Sequence, residues 1–81
     1  MRPRLAARFL LQLPDARVVL RALRPEARSS PGASIALRRG ALELRLQGTT
    51  PSGLRSQVNA WLRLVEVAAG AAAAAGPTRK V

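Results

Sequence analysis

Apolar and polar residues alternate over the first part of the chain, which is the pattern of a half-buried β-strand. The apolar face of this strand consists of Leu5, Ala7, Phe9, Leu11 and Leu13. After Pro14 the spacing changes to three and four residues, which predicts a helix with Pro14 at its first position and Asp15 complementing its positive end. The residue before a proline disfavours helical geometry, so Pro25 predicts that this helix ends near Arg24.

Two further strands follow a loop over residues 28–33, whose Ser, Pro and Gly residues are typical of turns. Ile35 and Leu37 alternate with polar or small residues. The Arg39–Gly40 pair supplies a tight turn, and the next strand has leucine at every second position. These leucines are Leu42, Leu44 and Leu46. The pattern predicts a β-hairpin.

A long helix is predicted after the turn at residues 48–53, with Thr50 as its N-cap and Pro51 at its first helical position. The apolar face expected to pack on the sheet consists of Leu54, Val58, Trp61, Leu62, Val65 and Ala68. The helix fades into an alanine run that Gly76 and Pro77 end.

The predicted order is therefore β-α-β-β-α, an α+β fold with a three-stranded antiparallel sheet and two helices packed on one face. A right-handed split unit places the third strand between the first two, so both remaining strands are edges that invite pairing with a second copy. We expect a single domain over residues 1–76 and a flexible tail over residues 77–81.

The two helices carry more apolar residues than one sheet-facing stripe requires. The surplus comprises Val18 and Ala22 on the first helix and Ala60, Leu64, Val67 and Ala71 on the second. Two interpretations stay open at this point. The surplus residues pack the helices against each other, or they form an exposed patch for helices of another protein.

The composition argues against catalysis by this chain. It contains no His, Cys or Tyr and only four acidic residues. The acids are Asp15, Glu26, Glu43 and Glu66, and their wide separation gives neither a metal-ligand nor a paired-carboxylate spacing. We therefore expect no enzyme activity, no metal and no cofactor, and a partner chain as the support for so small a core.

The net charge of +10, in which 13 of the 14 basic residues are Arg, points to phosphate groups of RNA, DNA or an anionic surface. The alternative is a solvated arginine surface that reflects coding bias. Strand alternation places Arg4, Arg8, Arg38 and Arg45 on the open face of the sheet. Arg17, Arg21 and Arg24 share one edge of the first helix, and Arg55 and Arg63 share the polar side of the second.

Three segments together resemble the small dimeric Pcc-type subunit of the KEOPS complex, which is related to the cancer/testis antigen family. The first is residues 16–23 with the Pro25–Glu26 corner, and the second is the leucine hairpin that leads into the second helix. The third is the helix pattern Leu54-Arg55, Asn59 and Leu62-Arg63. The resemblance covers about residues 4–68.

This resemblance implies a non-catalytic scaffold subunit in a complex that places threonylcarbamoyl on the adenosine next to the tRNA anticodon. Its implied partners are a second copy or a paralogue, the catalytic threonylcarbamoyl-transferase subunit, and tRNA. The residues implied in docking the catalytic subunit are Val18, Ala22, Ala60, Leu64 and Val67. The candidate RNA-binding residues are Arg55, Arg63, Arg38 and Arg45.

A free-standing RNA-binding module of the KH or double-stranded-RNA type is the rival function, but the signatures of a KH clamp and of an RRM-type stacking sheet are missing. No two glycines lie three apart, as a KH clamp needs, and the only aromatic residues, Phe9 and Trp61, are on inward faces. The apolar stretch of residues 64–76 is too short to span a bilayer. A membrane-surface helix is disfavoured because the basic residues thin out where the alanine run begins. We expect a cytoplasmic protein.

Overall fold

The computed structural model describes residues 4–75, which form three strands and two helices in the predicted order. The elements are β1 (Leu5–Leu11), α1 (Ala16–Ser29), β2 (Ala33–Arg38), β3 (Ala41–Gly48) and α2 (Pro51–Ala75). The sheet order is β1-β3-β2 and both pairings are antiparallel. The α+β prediction and the central place of the third strand are confirmed. The predicted tail over residues 77–81 lies outside the described residues.

The core lies between the helices and the face of the sheet that carries the β3 leucines. Leu42, Leu44 and Leu46 are fully buried. The register places Leu44 between Phe9 of β1 and Ile35 of β2, so apolar residues of both edge strands flank the central leucines. The helices contribute Val19, Leu20 and Leu23 from α1 and Trp61 and Val65 from α2. Every second residue of the strands thus packs against one side of each helix, where buried residues recur with the 3.6-residue helical period.

The ends of α1 differ from the sequence prediction. The helix begins at Ala16 with Asp15 at the N-cap, two residues later than expected, and the amide of Val19 donates to the Asp15 carbonyl at 3.0 Å. The expected end near Arg24 is wrong, because the helix passes through Pro25 and continues to Ser29. Pro25 is exposed, so the backbone acceptor it leaves without a partner lies on the solvent side.

Packing accounts for the extra turn of α1. Ala27 packs against the core, and the Ser29 hydroxyl donates to the Pro25 carbonyl at 3.2 Å. The amide of Ser30 then closes the helix on the Ala27 carbonyl at 3.2 Å. Tertiary contact and two terminal hydrogen bonds therefore outweigh the local effect of proline.

Gly32 connects α1 to β2 in a conformation that requires glycine. Its φ is +83°, and a Cβ placed there would lie 2.8 Å from the carbonyl oxygen of Gln47. The amide of Gln47 donates to the Gly32 carbonyl at 2.9 Å, which fixes the start of β2 beside β3. At the other end of β2, Arg39 and Gly40 have φ of 53° and 83° and form the predicted tight hairpin turn.

The start of α2 has the predicted cap. The amide of Gly53 donates to the Thr50 hydroxyl oxygen at 3.0 Å, and the amide of Leu54 donates to the Thr50 carbonyl at 3.0 Å. The side chain of Gln57 donates to the Gln47 carbonyl at 2.9 Å and ties the first turns of the helix to the end of β3.

Candidate partner and nucleic-acid surfaces

The surplus apolar residues of the helices are on the surface. Val18 is 50% exposed, Leu64 is 36% exposed and Val67 is 66% exposed. Ala22, Ala60 and Ala71 are exposed as well. We call Val18, Ala22, Ala60, Leu64 and Val67 the helix apolar row. Contact between α1 and α2 does not remove this row from solvent, because other residues form the buried part of the helix layer.

Helical geometry places the row away from the sheet. At about 100° per residue, Ala60 and Val67 lie on one side of α2 and Leu64 lies next to them, between that side and the face that buries Trp61 and Val65. Exposed apolar side chains on both helices of so small a domain are typical of a protein-binding surface.

The open face of the sheet centres on Glu43. Three guanidinium groups surround its carboxylate and form what we call the arginine triad, which consists of Arg8, Arg38 and Arg45. Arg8 Nε donates to Glu43 Oε2 at 2.7 Å. Nε of Arg45 and Nη1 of Arg38 lie 3.5 and 3.6 Å from the same oxygen. The three cations come from three different strands.

Glu43 is buried although it belongs to the open face of the sheet. Its side chain is 8% exposed, whereas those of the triad are more than half exposed. The register explains this, because Leu10 and Ala36 lie directly opposite Glu43. Arg8 and Arg38 reach it from diagonal positions on the edge strands, and Arg45 from two residues along β3. The carboxylate also compensates the direct pairing of Arg8 with Arg45, two like charges on neighbouring strands.

The net effect of these groups is to keep Glu43 ionised. Burial raises the pKa of Glu43, but attraction to Arg45, the hydrogen bond from Arg8, and attraction to Arg8 and Arg38 outweigh it. The pKa of Glu43 therefore lies below its ordinary value. The sheet face combines three positive charges with one fixed negative charge at their centre.

The four candidate RNA-binding residues fall into two different environments. Arg38 and Arg45 come together on Glu43, so part of their charge is already neutralised. Arg55 and Arg63 are exposed on α2, and Arg55 borders an apolar groove of about 440 Å³ beside β1. The remaining lining residues of this groove are Leu5, Ala6, Pro51, Leu54 and Val58.

The central position of Glu43 does not follow from the pattern of any one strand. Period-two alternation assigned Arg8, Arg38, Arg45 and Glu43 to the same face, but alternation gives the face and not the register between strands. A cross-strand register built outward from the Arg39–Gly40 turn would have placed Arg38 diagonally to Glu43. The hairpin turn was therefore the signal that could have brought together Arg38, Glu43 and Arg45, but not Arg8 of β1.

The described part of the chain shows neither a metal-binding cluster nor a membrane-spanning helix. Residues 4–75 bring together no group of three or more acidic, His or Cys side chains of the kind that holds a metal ion. None of the helices formed within residues 4–75 combines the length and apolarity that crossing a bilayer requires.

Comparison with known families gives one match that covers most of the chain. The family model described as transcription factor Pcc1 matches residues 4–72, a range that contains every strand, α1 and all but the last residues of α2. No curated protein matches the chain. The Pcc1 family is a family of non-catalytic subunits. The chain therefore belongs to the Pcc1 family, the family of the small subunit of the KEOPS complex.

Proposed function

We propose that this chain is the non-catalytic scaffold subunit of a KEOPS-type complex that modifies tRNA with threonylcarbamoyl. In this role it forms a dimer with itself or a paralogue, docks the catalytic threonylcarbamoyl-transferase subunit, and contributes contacts to tRNA. Membership of the Pcc1 family supports the proposal that the chain is part of a KEOPS-type complex. The observation that carries the docking role is the exposure of the helix apolar row.

The docking step follows from the cost of leaving apolar side chains in water. Val18, Leu64 and Val67 are the largest members of the row, and each exposes a third or more of its surface. Covering them with an apolar helix surface of a partner recovers about 25 cal/mol for each Å² of apolar area removed from water. The small alanines between them allow a partner helix to approach closely.

The chemistry of the chain supports a role without catalysis. The sequence has no His, Cys or Tyr to move protons near neutral pH, and Glu43 is held ionised by three arginines. The net charge of +10 supports contact with the phosphate groups of tRNA. The candidates Arg38, Arg45, Arg55 and Arg63 are all exposed, and each can donate to a phosphate oxygen through its guanidinium group.

The docking role is tested by Leu64→Glu, measured as the affinity for the purified catalytic subunit by calorimetry. We expect binding to weaken at least about 30-fold, because an unpaired charge in the centre of an interface costs 2 kcal/mol or more. Circular dichroism should report a folded protein, since Leu64 is already 36% exposed.

Ala73→Glu is the matched control. It places the same carboxylate on an exposed position of α2 that helical period puts on a different side from the helix apolar row. We expect it to bind like the wild type. Unchanged binding by Leu64→Glu would contradict the docking role, and unfolding by Leu64→Glu would assign Leu64 to internal helix packing.

A free-standing RNA-binding module remains the second candidate, because the positive charge exceeds what a protein-docking scaffold requires. Co-expression with the catalytic subunit separates the two functions. A stable complex that survives nuclease treatment supports the scaffold, whereas a chain that purifies with RNA alone supports the module.

A further inference from the structure

One face of α1 carries four arginines in a line. They are Arg17, Arg21, Arg24 and Arg28, and all four are exposed. Their spacing of four, three and four residues confines them to an arc of about 60° around the helix axis. We call these four residues the α1 arginine stripe. Arg28 joins the stripe only because α1 continues through Pro25, a continuation that the sequence pattern did not predict.

The positive charge of the stripe is not compensated by carboxylates within the described residues. Every ion pair found over residues 4–75 goes to Glu43, and none includes a residue of the stripe. The two acids nearest in sequence are Asp15 and Glu26. By helical period both lie about 150° or more from the centre of the stripe.

The stripe differs from the open sheet face in both charge and shape. On the sheet face the arginine triad surrounds a carboxylate, which attracts the guanidinium groups and repels an approaching phosphate. The stripe presents four charges along about 16 Å of helix, with neighbouring side chains about 5–6 Å apart. A line of cations at this spacing suits a linear polyanion better than a single small anion.

A groove runs beside the stripe. Arg24 and Arg28 line a space of about 330 Å³ together with Ala27 and the first half of β2, where the lining residues are Ala33, Ser34 and Ile35. β2 pairs only with β3 within the described sheet, so its outer edge offers free backbone amides next to the guanidinium groups. Backbone amides, the Ser34 hydroxyl and arginine side chains are the donors that contact phosphate and sugar oxygens in nucleic-acid complexes.

We propose that the α1 arginine stripe binds the sugar-phosphate backbone of RNA, with the groove along β2 receiving part of the same strand. This inference rests on the proposed role in tRNA handling and names the surface that performs it. Arginine forks match phosphate oxygens in pairs, so the contacts need no particular base and tolerate any sequence. The stripe, and not the sheet face, supplies the main phosphate contacts of the chain.

The position of the stripe leaves the docking surface free. Val18 and Ala22 lie about 90° to 130° around α1 from the centre of the stripe. A catalytic subunit on the helix apolar row and an RNA strand on the stripe can therefore be bound at the same time, one on each side of α1.

The test compares two quadruple variants of the full chain. The first replaces Arg17, Arg21, Arg24 and Arg28 with Gln, and the second replaces Arg4, Arg39, Arg55 and Arg63 with Gln. Each removes four charges, so the net charge falls from +10 to +6 in both, and neither touches the ion pairs of Glu43. The probe is a labelled tRNA transcript, and its affinity is measured by fluorescence anisotropy from about 50 to 200 mM salt.

For the stripe variant we expect the slope of log K against log salt to become shallower by about 2.8 to 3.6, which is 0.7 to 0.9 for each lost phosphate contact. The same contacts correspond to a loss of affinity on the order of 100-fold at physiological salt. The second variant should lose much less. A third variant with Lys at all four stripe positions should recover the salt slope, because the charges return, but only part of the affinity, because lysine does not reproduce the paired guanidinium contacts.

Several outcomes would overturn the proposal. An equal loss in both Gln variants means that total charge and not the stripe attracts RNA, and a larger loss in the second variant assigns the contacts to α2 and the hairpin. In either case the tRNA role itself stands, whereas a wild-type chain that fails to bind tRNA both alone and with its catalytic subunit removes that role too.

An acidic protein segment is the alternative ligand for the stripe, and polyglutamate serves as the competitor that represents it. If polyglutamate binding depends on the stripe while tRNA binding does not, the stripe is a surface for an acidic protein segment and the proposal fails. If the stripe variant does not fold by circular dichroism, Arg21→Gln/Arg24→Gln is measured instead, with an expected change in slope of about 1.4 to 1.8.

Discussion

The two edges of the sheet have different chemistry, although both belong to short strands paired with the same central strand. Beside β1 lies the apolar groove formed with the first turns of α2, and Leu10 on the open face is 50% exposed. Arg8 of β1 and Arg4 just before it turn inward across the sheet, Arg4 to the Gln47 side chain at 2.7 Å and Arg8 to Glu43. Beside β2, Arg24 and Arg28 line the groove.

This difference favours one edge for pairing with a second copy. Two copies joined through β2 would bring Arg24 and Arg28 of both chains toward the same boundary, where like charges repel. Two copies joined through β1 would cover Leu10 and the apolar groove instead. We therefore propose that the dimer forms through β1, which leaves the edge of β2 and the arginines beside it available for an anionic ligand.

The largest expected effect comes from placing charge on the β1 edge. Ala6→Lys/Leu10→Lys should weaken dimerisation by about 100-fold or more, because like charges brought together in an interface cost several kcal/mol. Both residues are exposed, so the monomer should remain folded. Sedimentation over a range of concentrations gives the dissociation constant.

Ser34→Lys/Ala36→Lys makes the equivalent change on β2, where both positions are also exposed. This variant should dimerise like the wild type. Dissociation by the β2 variant alone would reverse the assignment of the edges, and a wild-type chain with a mass near 8.6 kDa at micromolar concentration would contradict the dimer.

A smaller effect is expected from acid, because Glu43 links cations of both edge strands to β3. Its pKa is lowered in the folded chain, so its contribution to stability is fully present above the ordinary value of 4.5 and is lost as the pH falls through the folded value. The thermal midpoint of the wild type should therefore fall on acidification below about pH 4.5.

Glu43→Gln provides the comparison. It leaves the arginine triad without its counter-charge, so its midpoint at pH 7 should be lower than that of the wild type. Its midpoint should also change less between pH 5 and pH 3. If the thermal midpoints of the two proteins change by the same amount between pH 5 and pH 3, the stabilising role of Glu43 is contradicted.

The smallest effect concerns the hairpin that attaches β2 to β3. Arg39 has φ of 53°, a conformation in which Asn or Gly is preferred in two-residue hairpin turns. Arg39→Asn should raise the free energy of unfolding by about 0.5 to 1 kcal/mol. Gly40→Ala should lower it, since φ is +83° there and a Cβ would find no atom within 4 Å to pack against. Urea titration measures both.

The sequence predicts the fold well where one period dominates a segment. Alternating leucines identify β3, and Thr50–Pro51 identifies the start of α2, because both signals are local. It fails at Pro25, where contact of Ala27 with the core continues the helix against the preference of the proline. A tertiary contact of this kind cannot be predicted from the few residues on either side of the proline.

Some of the candidate surfaces can likewise be predicted from a local period, whereas others depend on tertiary structure. Helical period is enough to identify the helix apolar row, and the exposure of Leu64 and Val67 agrees with it. The cluster at Glu43 depends on the register of three strands, which no single strand contains. The α1 arginine stripe reaches Arg28 only through the unexpected last turn of α1.

The central position of β3 also sets the order in which the sheet can assemble. β2 and β3 are joined by a two-residue turn, so they can pair as soon as both leave the ribosome. β1 is made first, but even its innermost pair with β3, Leu11 with Leu42, requires closing a loop over residues 12–41, far longer than the two-residue turn. We expect the nascent chain to form its hairpin early and to hold β1 without a partner until β3 has emerged. The apolar strand made first is therefore the last to be protected, and it is the segment most exposed to aggregation during synthesis.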